Sequence, residues 1–357
     1  YGFFCMATGA MLFVPAALIR TYWFFLIGLF SIGTGLTILQ AAANPYITIV
    51  GPIESAAKRI SIMGICNKFA GIIAPLIFAA IILKSSDSVI FEQLNVGAFS
   101  EAEKDVVLDG LIRRVIWPYS ILSIFLFAVG IFIRYSVLPE INQEEENKEV
   151  ETDDGKSHTS ILQFPYLLMG AVAMFLHVGT QVIAIDTIIG YANSMHMDLL
   201  EAKVFPSYTL TATICGYIMG IILIPKYLSQ KRAFQICCTL GLIFSLGVVL
   251  SNMQVSFWGH DANLSIWFLV LLGFPNSLIY AGIWPLSIRG LGRFTKIGSS
   301  LLIMGLCGNA ILPLIYGHFA DLFSVKQAYW VLIPCYLYLM FFSLYGHKIE
   351  SWSFKKK

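Results

Sequence analysis

Amides and aromatic side chains recur at helical spacing along this chain. Gln40 and Asn44 are four residues apart, so a helix sets them on one face. Asn276, Tyr280 and Trp284 repeat that spacing just before Pro285, as Gln40 and Asn44 do before Pro45. His177 and Gln181 form a third such pair, and Asn67 and Asn309 are single amides in comparable surroundings. Amides bond hydroxyls as both donor and acceptor, while aromatic faces cover apolar C–H surface. Facing rows of this kind would line a site for a neutral, polyhydroxylated ligand. The plainer alternative is hydrogen bonding between helices with no ligand.

Two ionisable residues stand inside long apolar runs, Lys68 and Asp186. A charge at the centre of a membrane helix costs about 2.5–3.5 kcal/mol on the insertion scale, so each needs a partner or a task. Together they would make an ion pair or a coupling site facing a cavity. The alternatives are Lys68 reaching toward a membrane surface near Arg59, and Asp186 lying at the opposite interface. No catalytic signature of the HExxH, GxSxG or P-loop type occurs, and the six histidines do not cluster at metal-ligand spacing. The expectation is a protein that is not an enzyme, with no metal and no cofactor.

The elements that position these residues are written twice. Residues 33–45 read GTGLTILQAAANP and residues 273–285 read GFPNSLIYAGIWP, with Gly33, Gln40 and Pro45 matching Gly273, Tyr280 and Pro285. Ile62-Met63-Gly64-Ile65-Cys66 returns as Ile303-Met304-Gly305-Leu306-Cys307, and Ala74-Pro75-Leu76-Ile77 as Leu312-Pro313-Leu314-Ile315. Duplicated apolar halves interrupted by Gly and Pro mark secondary transporters, whose substrate sits between the repeats.

Composition agrees. The chain is 57% hydrophobic and 12% charged, against about 25% charged in soluble domains. Its net charge of +2 gives no reason to expect nucleic acid. Seven cysteines, none in a CxxC pair, read as small buried hydrophobes. Ten segments reach the roughly 20 apolar residues that a bilayer requires: 1–19, 22–49, 60–83, 112–137, 164–192, 204–225, 233–251, 263–286, 298–319 and 325–346. The repeat places two further spans ahead of residue 1. The expected architecture is therefore an all-α membrane protein of two pseudo-symmetric six-helix halves, with the spans here numbered 3 to 12. Residues 1–137 form the N-terminal half (helices 3–6, with helices 1–2 absent). Residues 138–163 form an acidic, solvated linker, 164–346 the C-terminal half (helices 7–12), and 347–357 a tail. Basic residues favour the side holding Lys58, Arg59, Lys226, Lys231, Arg232, Arg289, Lys296 and Lys348, which makes the linker and the C-terminus cytoplasmic. Gly28, Gly33, Gly35, Gly71, Gly190, Gly216, Gly220, Gly305 and Gly308 would allow close helix approach.

The motifs resemble a known family. Gln40-Ala41-Ala42-Ala43-Asn44-Pro45-Tyr46, followed by Ile47-Thr48-Ile49-Val50-Gly51-Pro52, looks like the helix 4 signature of the fucose–galactose–glucose:H⁺ symporters of the major facilitator superfamily. His177-Val178-Gly179-Thr180-Gln181 resembles their helix 7. Ser287-Ile288-Arg289-Gly290-Leu291-Gly292, with Thr295-Lys296 and Gly298-Ser299-Ser300, resembles their helix 10–11 connection. The resemblance covers essentially the whole chain. It implies the major facilitator fold, alternating access, and proton-driven uptake of a hexose by a multi-pass protein of the plasma (inner) membrane. The expected oligomeric state is a monomer. Spacing and repeat give the candidate substrate residues as Gln40, Asn44, Asn67, His177, Gln181, Asn276, Tyr280, Trp284 and Asn309. The chain departs from the family pattern where the proton-coupled fucose members carry a titrating Glu, since Gln40 stands there. It departs again at Lys68 and Asp186, where that pattern has small hydroxyl residues. Sodium coupling, uniport and a non-transporting sugar sensor are the alternatives.

Overall fold

In the computed structural model the described residues are 1–50, 52, 55–82, 101–136, 160–195, 197 and 199–352. The predicted linker up to residue 159, Lys84 and the terminal lysines lie outside them. Among the described residues, nine helical stretches are long and apolar enough to cross a bilayer. The remaining predicted span, 60–83, falls on the helix Ala56–Ile82. Helix is the outcome physics demands here, because a lipid-exposed backbone must satisfy its own hydrogen bonds within the segment.

The chain divides into two compact units. The first comprises Tyr1–Ala43 and Phe69–Ile141. It holds α1 (Gly2–Ile19), most of α2 (Tyr22–Ile49), the distal part of α3 (Ala56–Ile82), α4 (Glu101–Arg113) and α5 (Ile116–Tyr135). Small residues bring α1 and α2 together: a Cβ on Gly9 would lie 2.8 Å from the Gly28 carbonyl oxygen, so a larger residue would drive the helices apart. Ser31 Oγ donates to the Cys5 carbonyl at 2.9 Å, and Ser123 Oγ to that of Ala7 at 2.8 Å, which fastens α5 on α1. Phe13 stacks on Tyr119 with ring centroids 4.2 Å apart. Arg20 ends α1 in the left-handed region, at φ 53°. From there its guanidinium reaches α4, with Nε on Asp109 at 2.5 Å and Nη1 on Asp105 at 3.1 Å. The carboxylate of Asp109 raises the Arg20 pKa still further above its ordinary range.

The second unit comprises Asn44–Lys68 and Asn142–Lys357. It takes the end of α2 and the start of α3. It also holds α6 (Pro165–Asp186), α7 (Ile188–Ser194), α8 (Phe205–Leu223) and α9 (Gln230–Leu250). The hairpin β1 (Gln254–Phe257) and β2 (His260–Asn263) follows. The rest is α10 (Leu264–Leu271), α11 (Gly273–Ile288), α12 (Thr295–Met304), α13 (Gly308–Leu322) and α14 (Leu332–Leu344). Several predicted spans are interrupted. The span at 164–192 breaks at Thr187, that at 263–286 at Leu272, that at 298–319 at the turn Gly305–Cys307, and that at 325–346 at the turn Tyr329–Val331. The first break is pinned: Thr187 Oγ1 donates to the Ile183 carbonyl at 2.7 Å and meets the Tyr329 hydroxyl at 2.8 Å. Tyr191, one turn on, meets Ser265 Oγ at 2.6 Å. Such partners make a helix break tolerable inside a membrane protein.

The stretch after α9, for which the residue pattern carries no expectation, forms an antiparallel hairpin pairing Gln254 with Asn263 and Phe257 with His260. Its turn, Trp258-Gly259, has positive φ at both residues, the geometry that two-residue hairpins need to match strand twist. His260 bonds the Glu201 carboxylate, in the short helix Leu199–Ala202 ahead of α8, through Nδ1 at 2.6 Å, and its Nε2 meets the Tyr208 hydroxyl of α8 at 3.2 Å. The cysteines differ from expectation: Cys237, Cys238 and Cys335 are buried, whereas Cys66, Cys215 and Cys307 are exposed on the protein surface. An apolar side chain on a membrane helix has lipid as an alternative to the core, so its hydrophobicity alone does not fix its direction. By the same token Gly33, Gly71 and Gly190 meet no neighbour, while the other six glycines singled out for close packing do.

Candidate functional site

The second unit gathers several of the expected residues around Tyr280. Helix α11 is the most enclosed part of this unit, with Asn276 and Trp284 buried and Tyr280 half-buried between them. Glycines seat it: a Cβ on Gly282 would stand 2.6 Å from Phe234 of α9. Asn44, buried at the end of α2, donates from Nδ2 to the Tyr280 hydroxyl at 2.8 Å. The ring of His177, from α6, lies 6.4 Å from that of Tyr280, and the Trp284 ring lies 6.2 Å from it. Asn276 Oδ1 accepts from the Tyr336 hydroxyl of α14 at 2.8 Å.

This group is rich in hydrogen-bonding atoms that have nothing to bond. His177 Nδ1 and Nε2, Asn276 Nδ2 and Trp284 Nε1 are all buried without a protein partner. A buried polar group left unpaired costs about 1–3 kcal/mol. Asn276 and Trp284 stand about two turns apart on α11, and His177 approaches from α6. An amide N–H, an indole N–H and an imidazole are a donor-rich set suited to hydroxyl oxygens. The neighbouring aromatic faces suit the apolar side of a sugar ring.

Lys68 is half-buried on α3 and Asp186 is exposed as the last residue of α6, immediately before the break at Thr187. They lie within Coulombic range of each other, and Lys68 also of His177. No ion pair within 4.0 Å joins them. Gln181 is half-buried, and Asn67 and Asn309 are exposed, none with a side-chain hydrogen bond to a described residue. Gln40 belongs to the first unit, half-buried and likewise without such a bond.

Sequence reasoning missed Tyr336, which holds Asn276, and Tyr217, whose ring packs on Gly64 of α3. Tyr336 sits in the apolar run Cys335-Tyr336-Leu337-Tyr338-Leu339 with no polar residue at helical spacing to draw attention to it.

Known proteins resemble the chain over nearly its full length. A glucose/galactose transporter of Brucella abortus biovar 1 (strain 9-941) is 30% identical over 349 residues, covering 97% of this chain and 77% of the relative. The L-fucose-proton symporter of Escherichia coli (strain K12) is 27% identical over 320 residues, covering 90% and 71%. The crystal structure of a major facilitator superfamily transporter, FucP, in the outward conformation superposes with a TM-score of 0.78 at 24% identity, over 99% of this chain and 82% of that one. The sequence profile of the Major Facilitator Superfamily matches residues 1–299, and the chain belongs to that superfamily.

Proposed function

We propose that this chain carries a neutral hexose of the fucose, galactose or glucose type across the plasma (inner) membrane by alternating access, coupled to proton movement. The observation that carries the reading is the set of buried, unpartnered donors on His177, Asn276 and Trp284 around the Asn44–Tyr280 bond. A sugar brings several hydroxyl oxygens to such a site and satisfies groups that the protein leaves unsatisfied. The names of the relatives, glucose/galactose transporter and L-fucose-proton symporter, support both the substrate class and the coupling ion. Asn44, His177, Asn276, Tyr280 and Trp284 form the centre of the proposed site. Asn67, Gln181 and Asn309 of the same unit are proposed to join it in the conformation that holds sugar.

Because Gln40 cannot titrate, the proton is assigned to Asp186, with Lys68 as the charge that tunes it. The excess of Lys and Arg on one side supports a cytoplasmic linker and C-terminus. Counterflow of radiolabelled hexoses in proteoliposomes of the full-length protein tests the reading. Accumulation of one hexose, competed by its relatives and accelerated by an inward proton gradient, is expected. Absence of counterflow for all three sugars would remove transport of this class, and accumulation indifferent to a proton gradient would leave a uniporter or sodium-coupled carrier.

A further inference from the structure

The end of the second unit where α6 begins and α14 finishes carries a cluster of cations that outnumbers its counter-charge among the described residues. Arg289, just past α11, is held in a fixed place. Its carbonyl accepts from the Tyr166 hydroxyl at 2.7 Å, its Nη2 donates to the His347 carbonyl at 3.2 Å, and its guanidinium lies 6.0 Å from the Tyr166 ring centre. Lys348 follows His347 directly. Lys231 stands in the first turn of α9, and Gln235 one turn on donates to the Ser343 carbonyl at 3.1 Å, which sets that turn against the end of α14. Arg289 is bonded to the residue preceding Lys348, and Lys231 lies within Coulombic range of both Arg289 and Lys348. Against these three cations the described residues offer one carboxylate, Glu350, which is 77% exposed and 3.5 Å from Arg289.

A second feature of the same spot is equally out of balance. The first turn of α9 contains Lys231 and Arg232 and no acidic residue. The free N–H groups of a helix start favour anions and disfavour cations. Like charges crowd here, therefore, onto a helix end that itself carries positive potential. His347 does not relieve them: its Nδ1 is engaged with the Phe342 carbonyl at 2.9 Å and its ring is buried.

We propose that Lys231, Arg289 and Lys348 form a binding site for a phosphate group carrying net negative charge, with the start of α9 as a further donor. An anionic phospholipid headgroup and free phosphate share this chemistry, and basic pockets between membrane helices recognise such headgroups. The site is separate from the sugar cluster around Tyr280 and stands or falls independently of it.

Full-length protein, delipidated in a neutral detergent, is titrated with phosphatidylglycerol and with phosphatidylcholine of the same acyl chains, and bound lipid is counted by native mass spectrometry. Phosphatidylglycerol is expected to bind more tightly than phosphatidylcholine. Lys231→Gln and Lys348→Gln are each expected to weaken it about fivefold, the equivalent of about 1 kcal/mol per basic residue near an anionic surface. Lys226→Gln, a basic residue of the same connection that lies over Tyr227 outside the cluster, is the control and should leave binding unchanged. Inorganic phosphate as competitor separates the two sources: displacement of the lipid identifies free phosphate as a ligand, and retention identifies the headgroup. Equal binding of the two lipids by the unmodified protein would overturn the site. So would a loss in Lys226→Gln as large as in Lys231→Gln, which would reduce the effect to general surface attraction. Unfolding temperatures of both lysine variants in phosphatidylcholine check that the fold is kept.

Discussion

The amide of Asn44 donates to the hydroxyl of Tyr280 at 2.8 Å, and these two residues stand in the two copies of the duplicated segment. The repeat thus closes on itself through one hydrogen bond between its own equivalent stretches. Tyr280 is the repeat mate of Gln40, and Asn44 that of Trp284. The bond uses one amide N–H of Asn44 and one lone pair of the Tyr280 hydroxyl, so the phenolic O–H of Tyr280 is still able to donate to a sugar.

Asn44→Ala and Tyr280→Phe are each expected to weaken sugar binding by about 0.5–1.5 kcal/mol, the usual net worth of one hydrogen bond. Because the two residues touch, their effects should not add. The double variant is expected to lose less than the sum of the singles, by 0.5 kcal/mol or more on the scale typical of contacting pairs. Sugar affinity by equilibrium binding on the purified variants checks this. Strict additivity would show that the bond is irrelevant to the site.

His177→Leu should move two measurements in opposite directions. Leucine matches the volume of the imidazole and removes two buried ring nitrogens that have no partner. Relief of those orphans is expected to stabilise the sugar-free protein by roughly 1 kcal/mol, at the low end of the desolvation cost. The same change removes a hydrogen bond from the sugar complex, so the rise in unfolding temperature on adding sugar should shrink. A variant that is both less stable and unchanged in its sugar response would place His177 outside the site.

Trp284→Phe keeps an aromatic face and deletes an unpartnered indole N–H. Transport should continue at reduced affinity, and sugar-dependent tryptophan quenching should fall sharply although six other tryptophans remain. Full quenching in this variant would mean that a different indole senses the ligand.

The spans and the repeat were legible because membrane insertion imposes length and apolarity on the sequence itself, residue by residue. The pairing of amides and aromatics at four-residue spacing likewise pointed to α11. What the sequence hid was partnership. Nothing distinguishes Asn276, held by Tyr336 from α14, from Asn309, which is exposed, since both are amides in apolar runs. The hairpin was hidden for a different reason. Its turn uses Trp258-Gly259 where Asn-Gly would have announced it, and a tryptophan at φ 52° is an uncommon choice for that position. The break at Thr187 was invisible too, because it rests on a hydroxyl of Tyr329, 142 residues away.

Asp186 and Lys68 provide the test of coupling. Lys68 is half-buried on α3 and Asp186 is exposed, and the two lie within Coulombic range without direct contact. Asp186 also ends α6, immediately before Thr187, whose N–H still bonds the Ile183 carbonyl at 3.2 Å. If Asp186 binds the transported proton, Asp186→Asn fixes the protonated form. Concentrative uptake is then expected to vanish while sugar exchange at equal concentrations continues, because exchange needs no release of the proton. Lys68→Met should leave Asp186 without its compensating charge. Removing one partner of an interacting pair leaves an uncompensated charge, whereas removing both does not. The double variant Asp186→Asn with Lys68→Met is therefore expected to be closer to the unmodified protein in unfolding temperature than either single variant, and to retain exchange. Paired measurements of proton-driven uptake, exchange and thermal stability on the four proteins decide the matter. Concentrative uptake by Asp186→Asn, or a double variant no better than the sum of the singles, would assign the proton to another residue.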